Sequence, residues 1–284
     1  MGIGDFFKKK FGKQVCAFCG QEVGMLKRDK IKNDEFICHD CRRTCSRYIQ
    51  VYRMTKDELL GHMEYMKRQG KLVESMEGFQ AQRLPSAGSQ GFIFYDEAGM
   101  FRIYDQDKDN RYALEMIRYD QVASYAPYLE ESEPEEPGKP KGFGECGVRI
   151  TLVGGMADLS KMPKGLRAHP YIDQEITVCV ENKDRRRGEL EVNQIIAKFN
   201  AIFGVHDDTK GLFNFGPTKQ QKREGEALKA MSGMFGAAIK AAKTGEISEE
   251  TKAQVADAMN KVDDAATGGL AKYTRLADEA EAKI

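Results

Sequence analysis

The sequence predicts an α+β protein of four consecutive parts: a small cysteine-rich finger, a helical spacer, an antiparallel β-rich domain that ends in a helix, and a helical tail. Three observations predict this order. Two Cys-x-x-Cys pairs lie near the N-terminus, apolar and polar residues alternate through the middle of the chain, and helical spacing returns in the last third. The predicted parts are residues 1–54, 55–90, 91–206 and 207–284.

The composition of the 284-residue chain is that of a globular protein with balanced charge. Lys and Arg total 44, and so do Asp and Glu, which gives a formal net charge of zero. That balance argues against a protein that coats nucleic acid or anionic membrane along its whole length, although it allows a local basic face. Hydrophobic residues make up 41% of the chain, which is enough to bury a core.

The sequence carries no pattern for export or for crossing a membrane. No stretch approaches 18 consecutive apolar residues. Near the N-terminus, Phe6 and Phe7 precede three lysines, whereas a secretory signal has its charges first and a longer apolar run after them. We therefore expect a cytoplasmic protein, in which cysteines stay reduced or bind metal.

Five of the seven cysteines crowd near the N-terminus, and four of them form two pairs. Cys16 and Cys19 make the first Cys-x-x-Cys pair, Cys38 and Cys41 make the second, and 18 residues separate the pairs. Two thiolates on one tight turn reach adjacent vertices of a tetrahedron, and Gly20 fits such a turn. The two pairs fill all four positions around one Zn²⁺ and leave none for water, so we expect one structural zinc ion.

Two neighbouring residues compete for ligand roles in this site. Cys45 lies one helical turn after Cys41, where a spare cysteine more often packs in the core than binds metal. His39 lies inside the second pair, where we expect a solvated or supporting residue. Two disulfides are the alternative for the whole cluster, and iron is the alternative to zinc. A redox role is disfavoured because no βαβ pattern surrounds either pair.

The residues around the cysteines predict a small fold. Between the pairs, Glu22–Arg28 and Asp34–Ile37 predict two short strands. After the second pair, Tyr48, Val51 and Tyr52 recur at helical spacing. A knuckle, a hairpin and then a helix that begins at the second pair is the order of a treble-clef finger.

Residues 14–54 resemble the N-terminal zinc finger of a bacterial family of domain-of-unknown-function proteins. The motifs that carry this resemblance are Cys-x-x-Cys-Gly, the short basic hairpin, and Phe-Ile-Cys-x-x-Cys before a helix. In many members the finger precedes a β-rich module similar to bacterial pleckstrin-homology (PH) domains. The resemblance therefore implies a treble-clef finger followed by a PH-like domain, and it implies no enzyme activity, substrate or partner.

The spacer and the middle domain show helical and strand patterns in turn. Thr55 and Glu58 form a predicted capping box, the following helix is expected to stop at Gly70, and residues 79–90 have linker composition. Antiparallel strands followed by one helix then give the PH-like order of elements. The residues expected to face the core are Ile150, Leu152, Ile176, Val178 and Val180 in the strands and Val192, Ile195, Ile196, Phe199 and Phe203 in the helix.

Two basic runs are candidate contact sites for anions. They are Arg185, Arg186 and Arg187 before the closing helix, and Lys8, Lys9 and Lys10 near the N-terminus. A solvated turn is the simpler interpretation of the arginines, and an anion site for phosphoinositide or nucleic-acid phosphate is the alternative. The lysines alternate with phenylalanines, a pattern that favours contact with phosphate or with a membrane surface.

The tail from residue 219 onward is rich in Ala, Lys, Glu and Met. Its narrow apolar stripes suit helix–helix packing or docking on a partner, including a second copy of the chain. The sequence alone does not decide whether the tail docks on the middle domain or projects from it.

The sequence favours a non-enzymatic zinc-binding adaptor that mediates protein–protein interaction. No arrangement of nucleophile, base and pocket-forming motif indicates an enzyme or a small-molecule substrate. Nucleic-acid binding through the finger is the first alternative, because residues 1–56 hold thirteen Lys and Arg against six Asp and Glu, a formal +7, or about +5 with a four-thiolate zinc centre. Peripheral membrane attachment through the N-terminus and the PH-like domain is the second alternative.

Overall fold

A computed structural model describes residues 12–134, 141–154, 165–204 and 269–284. Its finger contains two short antiparallel hairpins and one helix, since β1 pairs with β2 and β3 pairs with β4. These elements are β1 Gln14–Val15, β2 Glu22–Val23, β3 Arg28–Lys30, β4 Phe36–Cys38 and α1 His39–Arg43.

The helix after the second cysteine pair is shorter than the sequence predicts. It ends at Arg43, and Val51–Arg53 form a separate 3₁₀ turn. Cys45 and Ser46 lie between the two and are at most 1% exposed. The chain leaves the helix because these two residues turn into the core.

Helix α2 spans Lys56–Ser75 and begins with the predicted capping box. The Thr55 hydroxyl accepts a hydrogen bond from the Glu58 amide, and the Glu58 carboxylate accepts one from the Thr55 amide. The predicted stop at Gly70 is wrong, because the helix continues to Ser75. Leu72 is 2% exposed, and its burial outweighs the roughly 1 kcal/mol that glycine costs in a helix.

The first larger sheet is four-stranded and antiparallel, in the order β5-β6-β7-β8. Its strands are β5 Gln82–Leu84, β6 Gln90–Tyr95, β7 Met100–Asp105 and β8 Ile117–Arg118. β6 and β7 form the predicted hairpin. Residues 82–84 were expected to be linker, but they pair with β6 and complete the edge of the sheet.

The second larger sheet is three-stranded and carries the closing helix on its surface. Its strands are β9 Val122–Ser132, β10 Gly142–Leu152 and β11 Glu175–Glu181, with β10 in the centre, and the helix is α3 Arg185–Ile202. α3 packs against all three strands. The predicted core residues of these strands and of the helix are buried, and Phe203 is partly buried.

A last helix, α4 Leu270–Glu281, docks on the β-rich part of the molecule. The ring of Tyr273 meets that of Tyr119 edge-on, with 5.0 Å between the centroids, and Arg118 Nη1 lies 2.7 Å from Glu281 Oε2. The sequence leaves open whether the tail docks on the β-rich part or projects from it. Residues 269–284 of the tail dock on it. The apolar stripes predicted within residues 205–268 lie outside the described residues.

The finger and the β-rich part share one hydrophobic core. Ile31, Ile37 and Cys45 of the finger belong to the same buried cluster as Ile103 and Val148. The three boundaries between the four predicted parts stay predictions. Across the described residues, none of the helices is both long and apolar enough to cross a membrane.

Candidate metal centre

The first cysteine pair lies at the tip of the β1–β2 hairpin. The Cys16 amide donates to the Gln21 carbonyl at 2.9 Å, and the Gly20 amide donates to the Cys16 carbonyl at 3.0 Å. Gly20 has a φ of 73°, in the left-handed region that glycine enters without strain. This tight loop places Cys16 and Cys19 on one side of the turn, and Gly20 fits that turn as the sequence predicts.

The second pair lies where β4 runs into α1. Cys38 is the N-cap of the helix, and its sulfur accepts a hydrogen bond from the Cys41 amide at 3.4 Å. The two loops are fixed to each other by the Ala17 amide, which donates to the Phe36 carbonyl at 2.9 Å. Backbone hydrogen bonds thus bring the two halves of the site together.

The four sulfur atoms form one compact cluster. The Sγ atoms of Cys16, Cys19, Cys38 and Cys41 all lie within 4.8 Å of one another, and the Cys19–Cys38 pair is 3.7 Å apart. A tetrahedral site with Zn–S bonds of about 2.3 Å has edges of about 3.8 Å. The cluster therefore has the dimensions that Zn²⁺ needs, and these four residues are the ones that would hold it.

The electrostatics of the cluster favour a cation. Burial acts to raise the pKa of Cys16, but amide hydrogen bonds from Cys19, Cys38 and Phe18 outweigh it and lower that pKa to about 6. Burial and the neighbouring cysteines raise the pKa of Cys41 well above its usual range. The site accommodates the Cys16 thiolate easily and resists that of Cys41, and a divalent metal ion removes that resistance.

His39 and Cys45 do not belong to the cluster. His39 is exposed, and Cys45 is fully buried and donates to the Cys41 carbonyl at 3.8 Å. Burial raises the pKa of Cys45 to about 11, as expected of a core thiol. The sequence leaves open whether His39 or Cys45 is a ligand. Among the described residues the cluster consists of the four paired cysteines, and Cys45 packs in the core next to Cys41.

One comparison with known proteins matches this part of the chain. Residues 14–62 match the family described as "Domain of unknown function (DUF4428)". No curated protein matches the chain. The matched segment contains all four clustered cysteines, as the resemblance in the sequence predicts, and it ends before the β-rich part, for which the PH-like expectation stays a prediction.

The three predicted anion-binding arginines lie in the first turn of α3, where a solvated turn was expected. Arg185 pairs with Glu189 at 2.9 Å, and Arg187 pairs with Glu191 at 2.9 Å. Arg186 is exposed. Two of the three charges are therefore already balanced by glutamates of the same helix. Lys8, Lys9 and Lys10 lie outside the described residues.

Sequence reasoning missed a buried polar cluster beside the finger. The His169 Nε2 atom lies 3.2 Å from both the Tyr65 hydroxyl and the Glu115 Oε1 atom. The His169 Nδ1 atom accepts from the Ile172 amide at 3.0 Å, so Nε2 carries the proton. One signal was available, because the nearby His62 lies on the buried face of α2, but nothing in the sequence shows which distant segments of the chain it meets.

Proposed function

We propose that this protein is a non-enzymatic zinc-binding adaptor, with a treble-clef finger and a PH-like domain, that mediates protein–protein interaction in the cytoplasm. The metal site supports a structural role, because four sulfur ligands leave no position for a substrate or water. The order of a knuckle, the β3–β4 hairpin and a helix that carries the last ligand supports the treble-clef assignment. Seven antiparallel strands in sheets of four and three, followed by α3, support the PH-like assignment.

The observation that carries the adaptor proposal is exposed apolar surface on the finger. Leu26 is 83% exposed, Val15 56% and Met25 42%, and all three lie on or beside the first hairpin. Tyr52, at the other end of the finger, is 60% exposed. Large apolar side chains in water are the usual mark of a protein contact when they cluster on one small unit.

The structure weakens the nucleic-acid alternative. Arg28, Arg42 and Arg47 contribute to the basic excess of the finger, but all three point into the protein. Arg28 donates to the Val23 carbonyl at 3.2 Å, and Arg42 donates to the Ser46 carbonyl at 2.8 Å. These guanidinium groups hold the fold together and are not available to phosphates.

Metal analysis and a matched pair of surface variants test the proposal. The purified 284-residue chain should contain one zinc ion, and Cys38→Ser should lose it. Leu26→Ser should abolish capture of a protein partner by cross-linking, whereas Leu190→Ser should not, although Leu190 on α3 is also 59% exposed.

Salt dependence separates adaptor function from nucleic-acid binding. Capture of the partner should change little between about 50 and 200 mM salt, because apolar contacts carry it. Binding to nucleic acid that falls steeply over the same range, and that survives Leu26→Ser, would replace the adaptor proposal with the alternative.

A further inference from the structure

We propose that the metal ion of the finger locks the joint between the finger and the β-rich part, so that loss of the metal releases that joint. The proposal rests on zinc binding by the four cysteines and adds a regulated contact to the proposed adaptor. We call residues 43–50 the strap; it runs from the end of α1 to the 3₁₀ turn. The joint is the set of contacts that the strap makes with α2 and with residues 103–115 and 169–174.

The strap is a direct continuation of the metal site. Helix α1 carries the ligand Cys41 and ends at the first residue of the strap. The Arg42 guanidinium, also in α1, donates to the strap carbonyls of Ser46 at 2.8 Å and Ile49 at 3.3 Å. The position of α1, which the metal would fix through Cys41, therefore sets the path of the strap.

A shielded ion pair attaches the strap to β7 and the loop after it. Arg47 Nη1 lies 3.2 Å from Asp109 Oδ1, and Arg47 Nη2 donates to the Ile103 carbonyl at 3.1 Å. Asp109 also pairs with Arg102 of β7 at 2.9 Å. The three charged side chains are only 14–20% exposed, so the contacts are less screened by water than surface ion pairs.

Backbone groups extend the attachment to both ends of the strap. The Ala113 amide donates to the Arg43 carbonyl at 2.9 Å. Toward the other end, the Gln174 side chain donates to the Tyr48 carbonyl. The strap is thus held by two segments of the β-rich part that lie more than fifty residues apart in sequence.

The buried centre of the joint makes its release costly and cooperative. The Ser46 hydroxyl donates to Glu115 Oε2 at 2.5 Å, and the Ser46 amide donates to His62 Nε2 at 2.9 Å. Ser46 is 1% exposed, and the side chain of Glu115 is 2% exposed. Moving the strap would leave a buried carboxylate and a buried imidazole without these donors, which favours two discrete states over gradual loosening.

The coupling also reaches a surface groove. Arg47 and Tyr48 of the strap line a cavity of about 320 Å³ together with Ile103 of β7 and Ile176 of β11. Release of the strap removes the lining that Arg47 and Tyr48 provide. The metal state of the finger thereby changes a surface that the β-rich part presents.

Reciprocity provides the first test. If the metal stabilises the joint, then the joint stabilises metal binding by the same factor. Asp109→Asn in the 284-residue chain should weaken the equilibrium affinity for zinc, measured by competition with a chromogenic chelator, at least about fivefold. Glu64→Gln is the matched control, because it removes an ion pair with Lys67 whose side chains are 69–71% exposed, and it should leave the affinity unchanged.

Hydrogen exchange on the full-length chain provides the second test. Chelation of zinc should raise exchange at the Ser46 and Ala113 amides about tenfold or more. Ile150, in the central strand β10, reports whether the β-rich part opens together with the joint. Loss of protection at Ile150 as well would support the coupling.

Two results would overturn the inference. They are equal zinc affinity of Asp109→Asn and the unchanged protein, and loss of protection confined to residues 14–41. Failure of the proposed function is distinguishable from both, because a chain that does not bind zinc competes with the chelator in none of the variants, and a failed adaptor appears only in the Leu26→Ser capture.

Discussion

Gly188, in the first turn of α3, lies directly against Cys146 of β10. A Cβ atom at position 188 would stand 2.3 Å from the Cys146 sulfur and 2.9 Å from the Glu181 Cβ. Only a residue without a side chain allows the helix to approach the sheet so closely. This contact sets where α3 begins to cover the three-stranded sheet.

Substitution of Gly188 by alanine should therefore destabilise the protein. The added methyl must push α3 away from β10, and overpacking of this kind costs about 1–3 kcal/mol. Urea denaturation measures the change in the free energy of unfolding. Gly70→Ala is the control, because nothing lies within 4 Å of its Cβ position inside α2, and it should stabilise by about 0.5–1 kcal/mol. Equal effects of the two substitutions would contradict the close contact.

Acid should weaken the packing around His62. Burial lowers the pKa of His62 to about 4, and the charge of Glu115 opposes this shift only in part, while Arg42 and His169 add to it. The unfolded chain takes up a proton near pH 6.5 and the folded chain does not, so the stability that His62 contributes is present above about pH 6.5 and is lost as the pH falls toward 4. The expected loss is up to about 3 kcal/mol.

Thermal unfolding between pH 7.5 and pH 5 checks this dependence. His62→Gln keeps an acceptor for the Ser46 amide and removes the titration, so its melting temperature should fall less on acidification. His39→Gln is the control, because His39 is exposed and should keep the full dependence. A dependence that persists in His62→Gln would assign the effect to other groups.

Arg118 should be essential for docking of α4. Its side chain is 5% exposed and pairs with Asp120 at 2.9 Å, Asp278 at 2.9 Å and Glu281 at 2.7 Å. Arg118→Gln removes the cation closest to Asp120, whose side chain is fully buried. The loss should lower the free energy of unfolding by about 3 kcal/mol. Limited proteolysis should then cut within α4 first.

An exposed arginine gives the comparison for Arg118. Arg185→Gln removes an ion pair with Glu189 whose arginine is 58% exposed, and it should change stability by less than about 0.5 kcal/mol. Resistance of α4 to protease in Arg118→Gln would show that apolar packing alone holds the helix.

Residues 205–268 should be dispensable for folding of the described part. A Cβ atom at Gly269 would lie 3.6 Å from the Ile202 carbonyl, so the chain returns to the end of α3 when α4 begins. Replacement of 205–268 by a short Gly/Ser linker should therefore shift the melting temperature little. Truncation after residue 204 removes α4 as well and should lower the melting temperature clearly. An equal fall in melting temperature in both proteins would refute the prediction that residues 205–268 are dispensable.

The sequence predicted the elements whose causes are local. Two Cys-x-x-Cys pairs predicted the four-sulfur cluster, because their spacing alone brings each pair onto one turn. Thr55 and Glu58 predicted the start of α2, since a capping box satisfies the backbone groups of its own first turn. Alternation of apolar residues likewise predicted β10 and β11. Gly70 failed as a stop signal because Leu72, two residues later, is buried in the core, and this tertiary packing stabilises the helix beyond the glycine.

The joint and the docking of α4 were decided by tertiary structure alone. Ser46 and Glu115 are 69 residues apart, and Arg118 and Glu281 are 163 apart, so no local pattern links either pair. A buried polar group must find a partner somewhere in the fold, but its own sequence neighbourhood does not say where. The sequence by itself therefore determined that four cysteines of this protein lie together in a cluster that could hold a metal ion. Only the tertiary structure decided that the site is attached to the β-rich part through Arg47 and Ser46, because that attachment depends on charges and hydrogen bonds brought together by folding.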